Sequence, residues 1–181
     1  MNGGKVMDRY VIVSVIKGAG GEFNNNLRKD VFKKFGAKSS KLPAHFTIKA
    51  PFESDSIKEV DGILSDFIKN HKAENLELKG YNHFDDRVIF IDVLMSKEGK
   101  KVHDDLIDEL MKVPYLEFTK KDGKDKKFHV TITSKNIKDK FYEIWDYVNE
   151  FQCDFKDEFN NICIYKWGDF RWNLYKEYIL G

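Results

Sequence analysis

The sequence predicts an α+β protein with helices packed outside sheet. Three observations carry this expectation. Apolar runs of strand length alternate with stretches of helical periodicity, the two kinds are mixed along the whole chain, and no Pro-, Gly- or Ser-rich linker separates one part from another. The 181 residues are 41% hydrophobic and 14% aromatic, enough to fill a sizeable core. A single domain over residues 1–181, or two lobes sharing one core, is expected.

The elements follow in order. Tyr10–Ile16 is a β-branched run closed by Lys17-Gly18-Ala19-Gly20-Gly21, a strand and then a flexible loop. Leu27, Val31, Phe32 and Phe35 recur at helical spacing, and Gly36 is placed to end that helix. His45–Ile48 is a short strand that stops near Pro51. Ser56 and Glu59 have capping-box spacing ahead of the apolar stripe Ile57, Val60, Ile63, Leu64, Phe67, Ile68. Strands around 76–78 and 88–94 are joined by a turn at Asp85-Asp86. Val102, Leu106, Leu110 and Met111 mark a third helix that ends before Pro114. A lysine-rich loop leads into the strand Phe128–Thr133. Ile137, Phe141, Ile144, Trp145, Val148 and Phe151 supply a fourth helix, and strands near 153–155, 162–167 and 172–179 close the chain.

Composition removes several function classes. The 31 basic and 30 acidic side chains nearly cancel, so any anion site is a local patch and not a global field. Two cysteines, Cys153 and Cys163, are too few for a disulfide framework or a four-thiolate zinc site, and are expected as buried small side chains in a reducing compartment. No apolar run approaches the ~20 residues of a membrane span. The apolar stretch near the start lacks a small-residue cleavage pattern, so a cytoplasmic protein is expected.

Two segments stand apart. His45-Phe46-Thr47-Ile48 and His129-Val130-Thr131-Ile132 both read His, apolar, Thr, apolar. In a strand, side chains alternate between faces, so each His shares a face with its Thr while the apolar pair turns to the core. With four threonines in 181 residues, a Thr two places after a given His arises by chance roughly 2% of the time. A lone strand His–Thr pair is usually a satisfied polar pair. Two matching copies that converge on one cleft need a ligand or water to satisfy them.

Two imidazoles can divide acid and base roles at neutral pH, and hydroxyls can donate to the non-bridging oxygens of a phosphodiester. A zinc site is the rival use of histidine, but zinc takes three or four ligands. His71, His83 and His103 are scattered, at a helix end, beside a turn and in a helix, with surface or capping roles expected.

With these motifs the chain resembles the 2H phosphoesterase superfamily, the group of bacterial 2′-5′ RNA ligase-like proteins and 2′,3′-cyclic-nucleotide phosphodiesterases. The likeness extends to Leu42–Phe52 around the first motif, to the tail Asn161–Leu180 with Trp167 and Trp172, and to the element order. It implies a bilobed, pseudo-symmetric fold with antiparallel sheets around a central groove. It also implies His45 and His129 as catalytic acid and base, Thr47 and Thr131 as phosphate-binding residues, and hydrolysis of a 2′,3′-cyclic phosphate or a 2′-5′ phosphodiester. The alternative is a nucleotide- or RNA-binding module without turnover. No cofactor and no metal are expected. The expected partner is a nucleotide or an RNA end and not a membrane, and a monomer is compatible with the sequence. The chain differs from strongly RNA-processing members in its balanced charge.

Further substrate contacts are open between two readings. Lys49 and Lys135 follow His45 and Thr131 by four residues and could reach phosphate from the rim, or be solvated. Tyr10, Phe52, Tyr165 and Trp167 could stack a base or fill core. The lysines at 120, 121, 124, 126 and 127 could follow an RNA backbone, or form a solvated loop.

Overall fold

The computed structural model describes residues 4–181; Met1–Gly3, inside the expected 1–181 span, lie outside the described residues. Eight strands and four helices follow in the expected order: β1 (Asp8–Val15), α1 (Ala19–Phe35), β2 (His45–Ser54), α2 (Lys58–Asn70), β3 (Glu74–Phe84), β4 (Val88–Met95), α3 (Lys97–Leu110), β5 (His129–Thr133), α4 (Phe141–Val148), β6 (Asp154–Phe159), β7 (Asn161–Gly168) and β8 (Arg171–Ile179). The strands make two four-stranded antiparallel sheets, β2-β1-β7-β8 and β5-β4-β3-β6. Each strand that begins with a histidine motif is therefore an edge strand. The two edges approach each other, with Cα atoms of β2 and β5 within 8 Å.

One apolar core joins the sheets. Ile12, Phe46 and Ile48 from the first meet Leu78, Ile89, Ile91, Val130 and Ile132 from the second. The Phe46 ring stands edge-on to Phe128 at 5.6 Å and to Phe159 at 5.2 Å. Helices add Leu27 and Val31 from α1, Val60 and Leu64 from α2, Leu106 and Leu110 from α3, and Ile144 and Val148 from α4. A second cluster of Val11, Val13, Leu42, Cys163 and Tyr165 lies on the opposite face of the first sheet.

Several local expectations are corrected. The Gly-rich segment after β1 is not a loop: α1 begins at Ala19 with Gly20 and Gly21 inside its first turn. A Cβ at Gly21 would run into the Ile16 carbonyl oxygen, and one at Gly20 into Leu78, so these glycines permit close approach. Gly36 ends the helix as expected, at φ 67°, with its N–H donating to Phe32 O. β2 continues through Pro51 to Ser54, which an edge strand tolerates because one side of its backbone needs no donor.

The capping box does not form, because Ser56 precedes the N-cap, Ile57, by one residue. The Ser56 hydroxyl instead accepts from Lys58 N at 3.3 Å. Both cysteines are free and buried, with burial pushing the thiols up to about 11 at Cys153 and about 12 at Cys163. No helix among the described residues is long and apolar enough to cross a membrane.

Candidate active site between two sheet edges

The alternation expected of each motif is present. Phe46, Ile48, Val130 and Ile132 are at most 1% exposed, while His45, Thr47, His129 and Thr131 are half-buried on the other face. The two copies also share an irregularity. In β2, Val13 pairs with Thr47 and Ile12 with Lys49, so Ile48 is an extra residue. In β5, Phe90 pairs with Thr131 and Ile89 with Thr133, so Ile132 is the extra one. The fourth residue of each motif is thus bulged, a device that re-aims the side chains after it. Lys49 and Thr133, which follow the bulges, both turn inward and are buried.

The histidine rings are held alike. His45 Nδ1 lies 2.7 Å from Pro43 O and His129 Nδ1 lies 2.9 Å from Lys127 O, in each case the carbonyl two residues earlier. A carbonyl only accepts, so Nδ1 carries the proton and donates it, and Nε2 is left for a ligand. His129 is further fixed by the rings of Phe84 at 5.1 Å and Phe90 at 5.0 Å.

Burial holds His45 well below its ordinary value of 6.5, to about 4, and the positive charges of Arg28 and His129 add to that; the bond to Pro43 O opposes it. His129 is also lowered, first by burial and then by Lys126 and Lys127, against the Lys127 carbonyl and Asp92. Without a ligand, both rings are neutral at pH 7.

Helix α1 supports both motifs through residues that the sequence patterns did not flag. Asn24 Nδ2 donates to Thr131 O at 3.3 Å. Asn25 Oδ1 accepts from Ala44 N at 2.9 Å, just before His45. Arg28 donates to Leu42 O at 2.8 Å, to Ser39 Oγ at 2.9 Å and to Ser40 O, fixing the segment that enters β2. The one available signal is Asn24-Asn25-Asn26 in mid-helix, where asparagine is unfavourable unless its amide is used.

Asn161 does a similar service from β7. Its Oδ1 accepts from Val15 N at 2.9 Å and its Nδ2 donates to Val15 O at 2.8 Å, directly across from His45.

The lysine loop is not simply solvated. Asp122 is 1% exposed and accepts from Lys49 Nζ at 2.8 Å, from Ala50 N at 3.1 Å and from Thr119 N at 2.7 Å. Lys126, also buried, donates to Ile48 O at 2.9 Å. The loop that leads into His129 is therefore strapped to β2 just past Thr47.

This disposes of several expected contacts. Lys49 is committed to Asp122 and does not reach the rim. Tyr10 and Phe52 are buried and packed on each other at 5.8 Å, so neither ring is open to a base. Lys135 is exposed beyond the end of β5, where its backbone pairs with Lys38. Tyr165 fills the second cluster, and Trp167 packs on Trp172 at 5.3 Å at the far end of the first sheet from His45.

His71 ends α2 and faces Asp105 at 3.4 Å, and His83 is exposed at the β3–β4 turn. His103, expected at the surface, is fully buried beside Asp104 and Phe128, where α3 packs on the second sheet. Among the described residues, no three His, Cys, Asp or Glu side chains group as metal ligands.

The model of the 2′-5′ RNA ligase superfamily matches residues 25–169, a span that holds both histidine motifs. The chain belongs to this superfamily of 2H phosphoesterases. No curated protein matches it by sequence. Solved structures match at the level of fold. E. coli LigT in its apo form is 12% identical with a TM-score of 0.63, covering 97% of this chain and 98% of that one. TT0787 of Thermus thermophilus is 9% identical with a TM-score of 0.64, covering 95% and 97%. E. coli LigT complexed with 3′-AMP is 14% identical with a TM-score of 0.58, covering 96% and 98%. As a 2H phosphoesterase, the chain keeps both histidine motifs intact, one on each sheet edge.

Proposed function

We propose that this 2H phosphoesterase hydrolyses a 2′,3′-cyclic phosphate or a 2′-5′ phosphodiester by acid–base catalysis between His45 and His129, with no metal taking part. The observation that carries the reading is the matched pair of rings, each with Nδ1 tied to the carbonyl two residues earlier, on facing edge strands. A neutral Nε2 takes a proton from water as it attacks phosphorus. The other ring, protonated, gives its proton to the departing ribose oxygen. Thr47 and Thr131 donate to the non-bridging oxygens, where negative charge grows in the transition state. Because both rings lose protons readily when empty, the phosphate anion itself stabilises the one imidazolium the reaction needs. The reaction direction decides which ring serves as base.

That a LigT structure holds 3′-AMP supports a nucleotide as ligand. The test is a panel of 2′,3′-cyclic mononucleotides, cyclic-phosphate-ended RNA and 2′-5′ dinucleotides, with products read by mass in excess chelator. Turnover of at least one class with chelator present is expected. Binding without turnover across the panel would make the chain a nucleotide-binding module instead.

A further inference from the structure

A cavity of about 680 Å³ opens beside His129, between the β3–β4 turn and the lysine loop. Its size falls within the ~300–1,000 Å³ of small-ligand sites. Arg87, Lys120, Lys121 and Lys127 line it against one carboxylate, Asp85, a surplus of three positive charges (4 − 1) in a chain whose net charge is +1, while burial holds a fifth basic side chain, Lys126, down to about 7. Lys127 is paired with Asp92 at 2.9 Å and Arg87 with Asp85 at 3.1 Å. Lys120 and Lys121 are exposed and make no ion pair among the described residues. The rings of Phe84 and His83 add an aromatic face to the lining. One reacting phosphate between the histidines does not need this concentration of charge several residues away.

We propose that this cavity is a subsite for a second phosphate, so that the site prefers a cyclic-phosphate nucleotide bearing a further phosphate over one ending in a free 5′-hydroxyl. The proposal rests on the histidine pair binding the reacting phosphate. The second phosphate has two sources of the same chemistry: a 5′-phosphate on the same nucleotide, or the next phosphodiester of a strand. Lys120 and Lys121 attract it, and the Phe84 face receives the neighbouring base when the source is a strand.

The experiment compares kcat/KM for three substrates: a 2′,3′-cyclic nucleotide with a 5′-hydroxyl, the same with a 5′-phosphate, and a cyclic-phosphate-ended trinucleotide. At least a tenfold gain is expected for the last two over the first, and a gain for the trinucleotide alone assigns the cavity to a strand. K120A/K121A is expected to cut that gain at least fivefold. K29A/K38A, in a second basic cavity lined by α1 and the segment before β2, is expected to keep it. Equal rates on all three substrates, or equal losses from both double variants, would overturn the subsite.

Binding of a labelled 2′-phosphate-ended trinucleotide needs no turnover. Its salt dependence is expected to weaken by about one unit of log–log slope per lysine removed in K120A/K121A. That result upholds the subsite even if no substrate is hydrolysed, and an unchanged slope contradicts it even if one is.

Discussion

Burial favours the neutral ring at both His45 and His129, whereas the general acid of the proposed reaction is an imidazolium. The kcat/KM profile, which reports the free enzyme, is therefore expected to peak on the acid side of pH ~6.5, and the kcat profile to lie to its alkaline side because bound phosphate raises the ring that holds the proton. A pH–rate series on one cyclic nucleotide checks both.

His103 makes a related prediction about stability. Burial holds it down to about 3, against the support of Asp104. Between the unfolded value of 6.5 and the folded one, the unfolded chain binds the extra proton, so stability falls as pH drops through that window. H103Q cannot take that proton, and its urea midpoint is expected to change less between about pH 7 and about pH 5 than the wild type's. The His-x-Thr-x residues were legible because a period of two is local. Asn25, Arg28, Asp122 and Lys126 were not, because their value lies in partners far along the chain. Tyr10 and Phe52 were ambiguous for the same reason: an aromatic in a strand does not announce which sheet face is covered.

At the level of elements, the entry to α1 and the lysine loop carry the most consequence. Gly21 lies against the Ile16 carbonyl, so G21A is expected to destabilise the fold by about 1–3 kcal/mol or more, read as a lowered denaturation midpoint. The loop holds a fully buried ion pair, Lys49 with Asp122, whose side chains are 5% and 2% exposed. D122A leaves the Lys49 ammonium buried and unpaired, with an expected cost of ~3–5 kcal/mol, and K49M/D122N is expected to recover part of it. A thermal or urea series over the wild type and these variants measures the coupling. Glycine-rich composition suggested a loop before α1 because sequence shows permissiveness, not the close packing that demands it. Lysine-rich composition likewise left that loop open between solvent and an RNA backbone, since nothing local marks Asp122 as the anchor.

Across the whole molecule, the strand and helix order was readable from periodicity and turn residues, and the family resemblance carried by the two matched motifs implied two related lobes. Which strand lies at which edge was not readable, because pairing is fixed by contacts far apart in sequence. That placement matters most: β2 and β5 each end a sheet, and the ends face each other. In the proposed reaction this arrangement sets one ring on either side of the phosphate. The most direct measurement is the rate of cyclic-phosphate hydrolysis by H45A and by H129A, with folding monitored by thermal midpoint. Each variant is expected to lose ~10²–10⁴-fold or more in kcat while remaining folded. A folded H45A or H129A that turns over at the wild-type rate would contradict the account.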